Sequence, residues 1–346
     1  MNSSSKVYSV SSFLSEGYVL QGNFTDFSNV KLDRSSILTW VDVEVPDLAN
    51  SLSQICTQFE FNYENISSFL NKSGYSDSDS QLSLSIPSII LDGNNVCIEH
   101  TIILIKKGLI LTIHNDKVKR FEKLIRYAKT ILKKAANYSN EEDRLTFFLI
   151  RVFDENNGRN FDHLRSIQAN SDHISQRLSD LEISRDKIGK DIHQMKHQLI
   201  TYLGGLWESI DVLNSIRYGD PLLLSDDQAL INHLGSLVDQ INTQISLAEH
   251  MSEVLSSGLD VMQSIYNNHL QLINNRMALL VAYLTVIGTA VMVPNTLATA
   301  LSSSVFNLTT NDQTWYISLM VISTIVATLI SYWWVKKEGL LPNRPS

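Results

Sequence analysis

Cysteine is nearly absent from this chain: Cys56 and Cys97 are the only two in 346 residues. That excludes a disulfide scaffold and any paired-cysteine metal motif, and it suits a reducing compartment. Proline is scarce too, six in all, with none between Pro221 and Pro294. Nothing in that interval forces a helix to stop. The amino terminus, MNSSSKVYSV, lacks a basic segment followed by an apolar run, so no secretory signal is expected there. No glycine-rich phosphate loop and no Ser-His-Asp motif context occur, which leaves an enzyme without a foothold. Basic residues are outnumbered, 28 against 36 acidic, for a formal net charge of −8. That balance argues against a nucleic-acid partner and is compatible with attracting cations.

Charge is missing altogether from two long intervals, between Arg276 and Asp312 and between Asp312 and Lys336. Each holds a mainly apolar stretch, Met277–Leu301 and Trp315–Val335. At a rise of ~1.5 Å per residue, each can cross a hydrocarbon layer ~30 Å thick. Trp315 and Tyr316 at one end of the second stretch, and Tyr332, Trp333 and Trp334 at the other, are the aromatic pairs and triplets of a membrane interface. Two transmembrane helices are expected. The connector has no Lys or Arg, whereas Arg276 precedes the first span and Lys336, Lys337 and Arg344 follow the second. By the positive-inside rule the connector faces out, and both termini lie in the cytoplasm of a multi-pass cell-membrane protein.

The remainder is mixed at first and then helical. ILTWVDVEV (Ile37–Val45) reads as a strand stopped by Pro46, and Asp47 opens a helix, DLANSLSQICTQF. NKSGYSDSDSQ reads as a polar loop. CIEHTIILI and LILTIHN form a hairpin whose turn needs Gly108. DKVKRFEKLIRYAKTILKKAANY is a basic amphipathic helix on the edge of a sheet. After Glu141 the strands end, and DHLRSIQ through LNSI predicts two antiparallel helices closed by YGDP, with Gly219 and Pro221.

From Ser225, a candidate cap, Leu230, Leu234, Leu237, Ile241, Ile245, Ala248, Leu255, Leu259, Met262, Ile265, Leu272 and Met277 hold a helical apolar stripe up to the membrane. One helix from Ser225 to Leu301 would be ~110 Å long. Its stripe needs neighbours, and copies of itself are the expected ones. The organisation is thus an α/β part over 1–140, a helical hairpin over 141–224, a stalk helix over 225–276, a first span over 277–301, an external loop over 302–314, a second span over 315–335 and a basic tail over 336–346.

Two constellations carry chemistry. HQMKH sets His193 and His197 at metal-ligand spacing on one helical face, but without the glutamate of a zinc protease, and it continues an ordinary amphipathic helix. Pro294 and Asn295 interrupt the first span. Asn295 can hydrogen-bond a neighbouring helix or line an aqueous path, and the residues alone leave both readings open.

Three stretches resemble the CorA family of divalent-cation channels. WVDVEVPDLANSLSQICTQFEF is similar to that family's W-[IV]-D-[LV]…P strand and following helix. VCIEHTIILIKKGLILTIHNDKVKRFEKLI is similar to its hairpin ending in LIT-[VI]-H. NNRMALLVAYLTVIGTAVMVP (Asn274–Pro294) follows the family's first-span pattern at Asn-Arg, Leu284-Thr285 and Met292. The departures are equally specific. The hallmark Gly-Met-Asn is absent, and an ungapped match puts Ser302, Ser303 and Ser304 at the filter position. Ala278 and Ala282 replace a family asparagine and lysine.

The resemblance implies an α/β cytosolic domain, a funnel of long helices and two carboxy-terminal spans, assembled as a homopentamer in the lipid bilayer around a pore lined by the first span. It assigns Val281, Leu284 and Met292 to a hydrophobic constriction and Thr285 and Asn295 to polar rings. It also makes Asp226, Asp227 and Asp239 candidates for a cytosolic regulatory metal site. The implied cargo is Mg²⁺ first, with Co²⁺, Ni²⁺ or Zn²⁺ as alternatives, moving passively and without an organic cofactor. The rival expectation is a non-conducting scaffold or sensor that kept the architecture and lost the filter.

Overall fold

In the first third of the chain, β-branched and aromatic residues fall in short runs between turn residues, and there they form a sheet. The computed structural model describes residues 5–13, 19–33, 35–70, 72–93, 95–177, 185–302 and 312–337. It separates into two units, Met1–Leu259 and Asp260–Ser346.

The first unit contains a seven-stranded sheet made of β1 (Lys6–Phe13), β2 (Val19–Phe24), β3 (Ser36–Val45), β4 (Gly74–Ser78), β5 (Gln81–Asp92), β6 (Asn95–Lys106) and β7 (Leu109–Asn115), in the order β2-β1-β3-β7-β6-β5-β4. Only β3 and β7 pair in parallel; the other neighbours are antiparallel. The expected β6–β7 hairpin forms, and Gly108 takes the positive φ of its turn, +69°. Helix α1 (Leu48–Gln58) starts where Asp47 accepts from the Asn50 amide at 3.2 Å, and a single turn, α2 (Glu64–Ser67), follows it.

Alternation along β3 sends its side chains to two different layers. Val41, Val43 and Val45 join Leu52, Ile55, Phe59, Ile102, Leu104 and Ile113 in a core shared with α1. On the other face Trp40 packs against Phe148 of α4 (Glu141–Gly158), with ring centroids 5.3 Å apart and the rings tilted by 48°. Tyr8 of β1 donates to the Ile125 carbonyl of α3 (Phe121–Ala135) at 3.2 Å. This second face is polar for a buried layer. Trp40 Nε1 donates to Thr112 at 3.1 Å, Thr112 donates to Asp42, and Asp42 also meets His114.

The polar loop expected at NKSGYSDSDSQ is not what forms. Gly74–Ser78 pairs with β5 as strand β4. Cross-strand bonding, which local composition does not report, overrides the turn chemistry here. Helix α5 (Asn160–Arg177) and helix α6 (Arg185–Gly219) pack on each other as the two expected helices. α6 also lies across β5 and β6, closely enough that a Cβ on Gly205 would fall 2.9 Å from Ile89 Cγ1. At the α4–α5 junction Arg120, 3% exposed, donates to the Ile89 and Asn156 carbonyls and to Asn160 Oδ1.

Helix α7 runs unbroken over Gln228–Leu301. Its cap is Asp227, which accepts from the Ala229 and Leu230 amides, and not the expected Ser225. Ser225 instead donates to Asp143. The stripe was expected to await copies of the chain, but its first part is already buried: Leu230, Leu234, Leu237, Ile241, Ile245, Ala248 and Leu255 are each under 5% exposed. Side chains of α5 and α6 bond that segment, Asn160 to Gln244 and Lys196 to Ser256.

The second unit contains the rest of α7 and α8 (Gln313–Lys337). Both helices are long and apolar enough to cross a membrane. Among their described residues the buried positions are Ala282, Ala327, Ser331 and Val335, mostly small, as close packing in lipid favours.

Candidate ion path on helix α7

Within the second unit, none of the described residues covers one face of α7. At ~100° of rotation per residue, Val281, Leu284, Thr285, Met292, Asn295, Thr299 and Ser302 share an arc of roughly 100°. Val281, Leu284 and Met292 are 60%, 68% and 71% exposed. Buried Ala282 lies outside the arc. The structure therefore brings the residues expected at the constriction and the polar rings onto one side of one helix. Thr299, which the sequence reading passed over, stands among them; its signal was the four-residue step from Asn295.

Along this face the chemistry changes. Val281 and Leu284 are aliphatic, Met292 follows, and Asn295, Thr299 and Ser302 make the next two turns polar. The hydroxyls are oriented by their own backbone. Thr285 donates to the Val281 carbonyl at 2.9 Å, Thr299 to Asn295 at 2.8 Å and Ser302 to Thr299 at 3.0 Å. Each hydroxyl hydrogen is thus committed, and the oxygen lone pairs are what remain to be offered. Pro294 lies within the helix and has no amide to give the Ala290 carbonyl, so one backbone acceptor is also released. Ser303 and Ser304 lie outside the described residues.

The carboxylates expected at a regulatory metal site are not assembled in one subunit. Asp226 and Asp227 border an open cavity of about 550 Å³ with Glu142, Asp143 and Asp220. The charge of Asp220 and a hydrogen bond with it push Asp226 above its ordinary carboxylate value. Asp227 is occupied as the α7 cap. Asp239 is twelve residues further along the helix, ~18 Å away. His193 and His197 sit on the exposed side of α6. Among the described residues no group of three or more His, Cys, Asp or Glu could hold a metal ion.

A family model described as CorA-like Mg²⁺ transporter protein matches residues 35–337. The complete structure of the CorA magnesium transporter from Methanocaldococcus jannaschii is similar to this chain with a TM-score of 0.71 at 16% identity, over 97% of this chain and 98% of that one. The soluble domain of the same transporter matches 75% of this chain and 96% of its own length, with a TM-score of 0.60 at 16% identity. The full-length CmaX protein matches with a TM-score of 0.61 at 12% identity, over 97% and 98% of the two chains. No curated protein matches.

Proposed function

This chain belongs to the CorA-like Mg²⁺ transporter family, and from that premise we propose that it is a passive membrane channel for divalent cations. Mg²⁺ is the first cargo to test, with Co²⁺, Ni²⁺ and Zn²⁺ as alternatives. Five copies surround an axis in this reading, each presenting the Val281–Ser302 face of α7 to it, with both termini cytoplasmic. Val281, Leu284 and Met292 form the apolar gate, which closes by excluding water. Thr285 and Asn295 are its polar rings, and Ser302, Ser303 and Ser304 occupy the outer mouth. Asp226, Asp227 and Asp239 could gather a regulatory cation only with ligands from a neighbouring copy.

The observation that carries this proposal is the orientation of the hydroxyls. A face whose Thr285, Thr299 and Ser302 hydrogens are held by backbone carbonyls presents oxygen acceptors. Water bound to a cation needs such acceptors, and Mg²⁺ gives up its water reluctantly. The test is ion uptake into liposomes carrying the purified protein, with the four cations supplied in turn under an inward-negative potential. Uptake above protein-free liposomes is expected. A second reading, a non-conducting scaffold, is supported by the serines that replace Gly-Met-Asn. Absence of flux for every cation would decide for it.

A further inference from the structure

Gly288 is the only glycine between Met277 and Leu301, and it stands inside an unbroken helix. Glycine weakens a helix interior, because it loses more backbone freedom on folding than any other residue. In membrane helices that weakness is commonly offset where a second helix approaches the bare backbone. Among the described residues no such approach occurs: a Cβ built on Gly288 meets nothing within 4 Å. Gly205 is the contrast, since there a Cβ would collide with Ile89.

The position explains the residue. Gly288 is seven residues from Val281 and seven from Asn295, inside the uncovered arc. It is one turn from Leu284 on one side and one turn from Met292 on the other. Those neighbours are large and more than two-thirds exposed. The face therefore carries two bulky apolar residues with a bare stretch of backbone between them.

We propose that Gly288 sets the width of the ion path. The inference rests on the conducting reading above. Five bare positions at one level leave a chamber between the Leu284 and Met292 rings, in which a cation keeps its water shell. A side chain at this level would take the volume that the shell needs. A divalent cation that dehydrates reluctantly cannot shrink to compensate. Gly288 is thus a specificity-determining position for large hydrated cations, distinct from the apolar rings that gate and the oxygens that attract.

The test is a size series, Gly288→Ala, Gly288→Val and Gly288→Leu, in liposomes beside the unmodified protein. Divalent flux is expected to fall in the order of side-chain volume, with Gly288→Leu reduced to the level of protein-free liposomes. Assembly mass in detergent should stay unchanged throughout. A Gly288→Ala variant as inactive as Gly288→Leu would overturn the proposal, because alanine strengthens a helix and a hinge would be the reason for its failure. Full flux in Gly288→Leu, or loss of assembly across the series, would overturn it too. A second measurement does not depend on flux. Gly288→Cys, in a chain with Cys97 replaced by serine, should react with a water-soluble thiol reagent, and failure to react removes the chamber. Should the unmodified protein move no ion while the Gly288→Cys thiol reacts, the conducting reading falls and the water-filled chamber stands.

Discussion

Asp42 and His114 are 72 residues apart in sequence, yet Oδ2 of one lies 3.3 Å from Nε2 of the other, with both side chains no more than 5% exposed. His114 also donates through Nδ1 to the Asn115 carbonyl at 2.8 Å. Burial alone would lower its pKa. The charge of Asp42, the two hydrogen bonds and the charge of Glu44 outweigh burial and leave it raised. A histidine raised in the folded state stabilises fully below its unfolded value, ~6.5, and that contribution is lost as pH rises through the folded value. The melting temperature is therefore expected to decline as pH rises above ~6.5 and through the raised folded value. His114→Gln should be less stable at low pH and should lose that decline. An unchanged slope in His114→Gln would assign the pH dependence elsewhere.

Arg120 is a buried cation held by neutral oxygens. Burial brings its pKa down to about 10, so it stays charged at neutral pH. Removing it would strand the Ile89 and Asn156 carbonyls in the interior. Arg120→Ala is expected to cost about 3 kcal/mol in denaturant unfolding of the full chain. Arg120→Lys should recover little of this, because an ammonium cannot reproduce the planar fork that reaches partners on β5, α4 and α5 at once.

Leu237 is 4% exposed and Ile241 2% exposed inside their own unit. Leu237→Asp would bury an unpaired charge there and is predicted to lower the folding stability of the subunit by ~3 kcal/mol or more. Thermal unfolding should show this at protein concentrations too low for assembly to matter. A variant that dissociates but keeps its unfolding temperature would return this part of the stripe to the subunit interface.

The two cysteines give a native handle on orientation. Burial pushes the Cys56 thiol up to about 11, whereas Cys97 is exposed. In the proposed orientation, with both termini cytoplasmic, an impermeant thiol reagent outside sealed cells should leave Cys97 untouched and label Thr310→Cys. Opening the membrane should expose Cys97 and still spare Cys56. Labelling of Cys97 in sealed cells would invert the topology.

On the proposed ion path, Leu284→Ser removes bulk from an apolar ring and adds a hydroxyl, so closed-state leakage should rise. Asn295→Leu should reduce flux by deleting the amide ring. If Leu284→Ser changes nothing and Asn295→Leu merely loosens the oligomer, the asparagine serves to join helices.

The sequence made some elements plain and hid others for physical reasons. β3, β6 and β7 were readable because their β-branched runs are buried on both faces. β5 was hidden by Ser83, Ser85, Ser88 and Pro87, which look like turn residues. In the fold all three serines are at most 1% exposed; Ser88 donates to Asn156, and the Pro87 carbonyl accepts from the same residue. Such partners come from distant segments and leave no local mark. The face shared by Val281, Leu284, Thr285, Met292 and Asn295 followed from helical spacing, which is a local property. The destination of the Leu230–Leu255 stripe did not, since periodicity announces a partner without saying which. The acidic cap region likewise showed that Asp226 and Asp227 were neighbours, but not that Asp227 would be spent on the α7 amides.

Trp40 is fully buried, and its indole nitrogen is bonded to the Thr112 hydroxyl that in turn serves Asp42. The other four tryptophans, Trp207, Trp315, Trp333 and Trp334, are each about half exposed in the subunit. A hydrogen-bond chain through a single hydroxyl therefore links this one indole to the carboxylate that faces His114. Replacing the four exposed tryptophans with phenylalanine would isolate the Trp40 emission, which is expected to shift as the charge on His114 changes, without any added label.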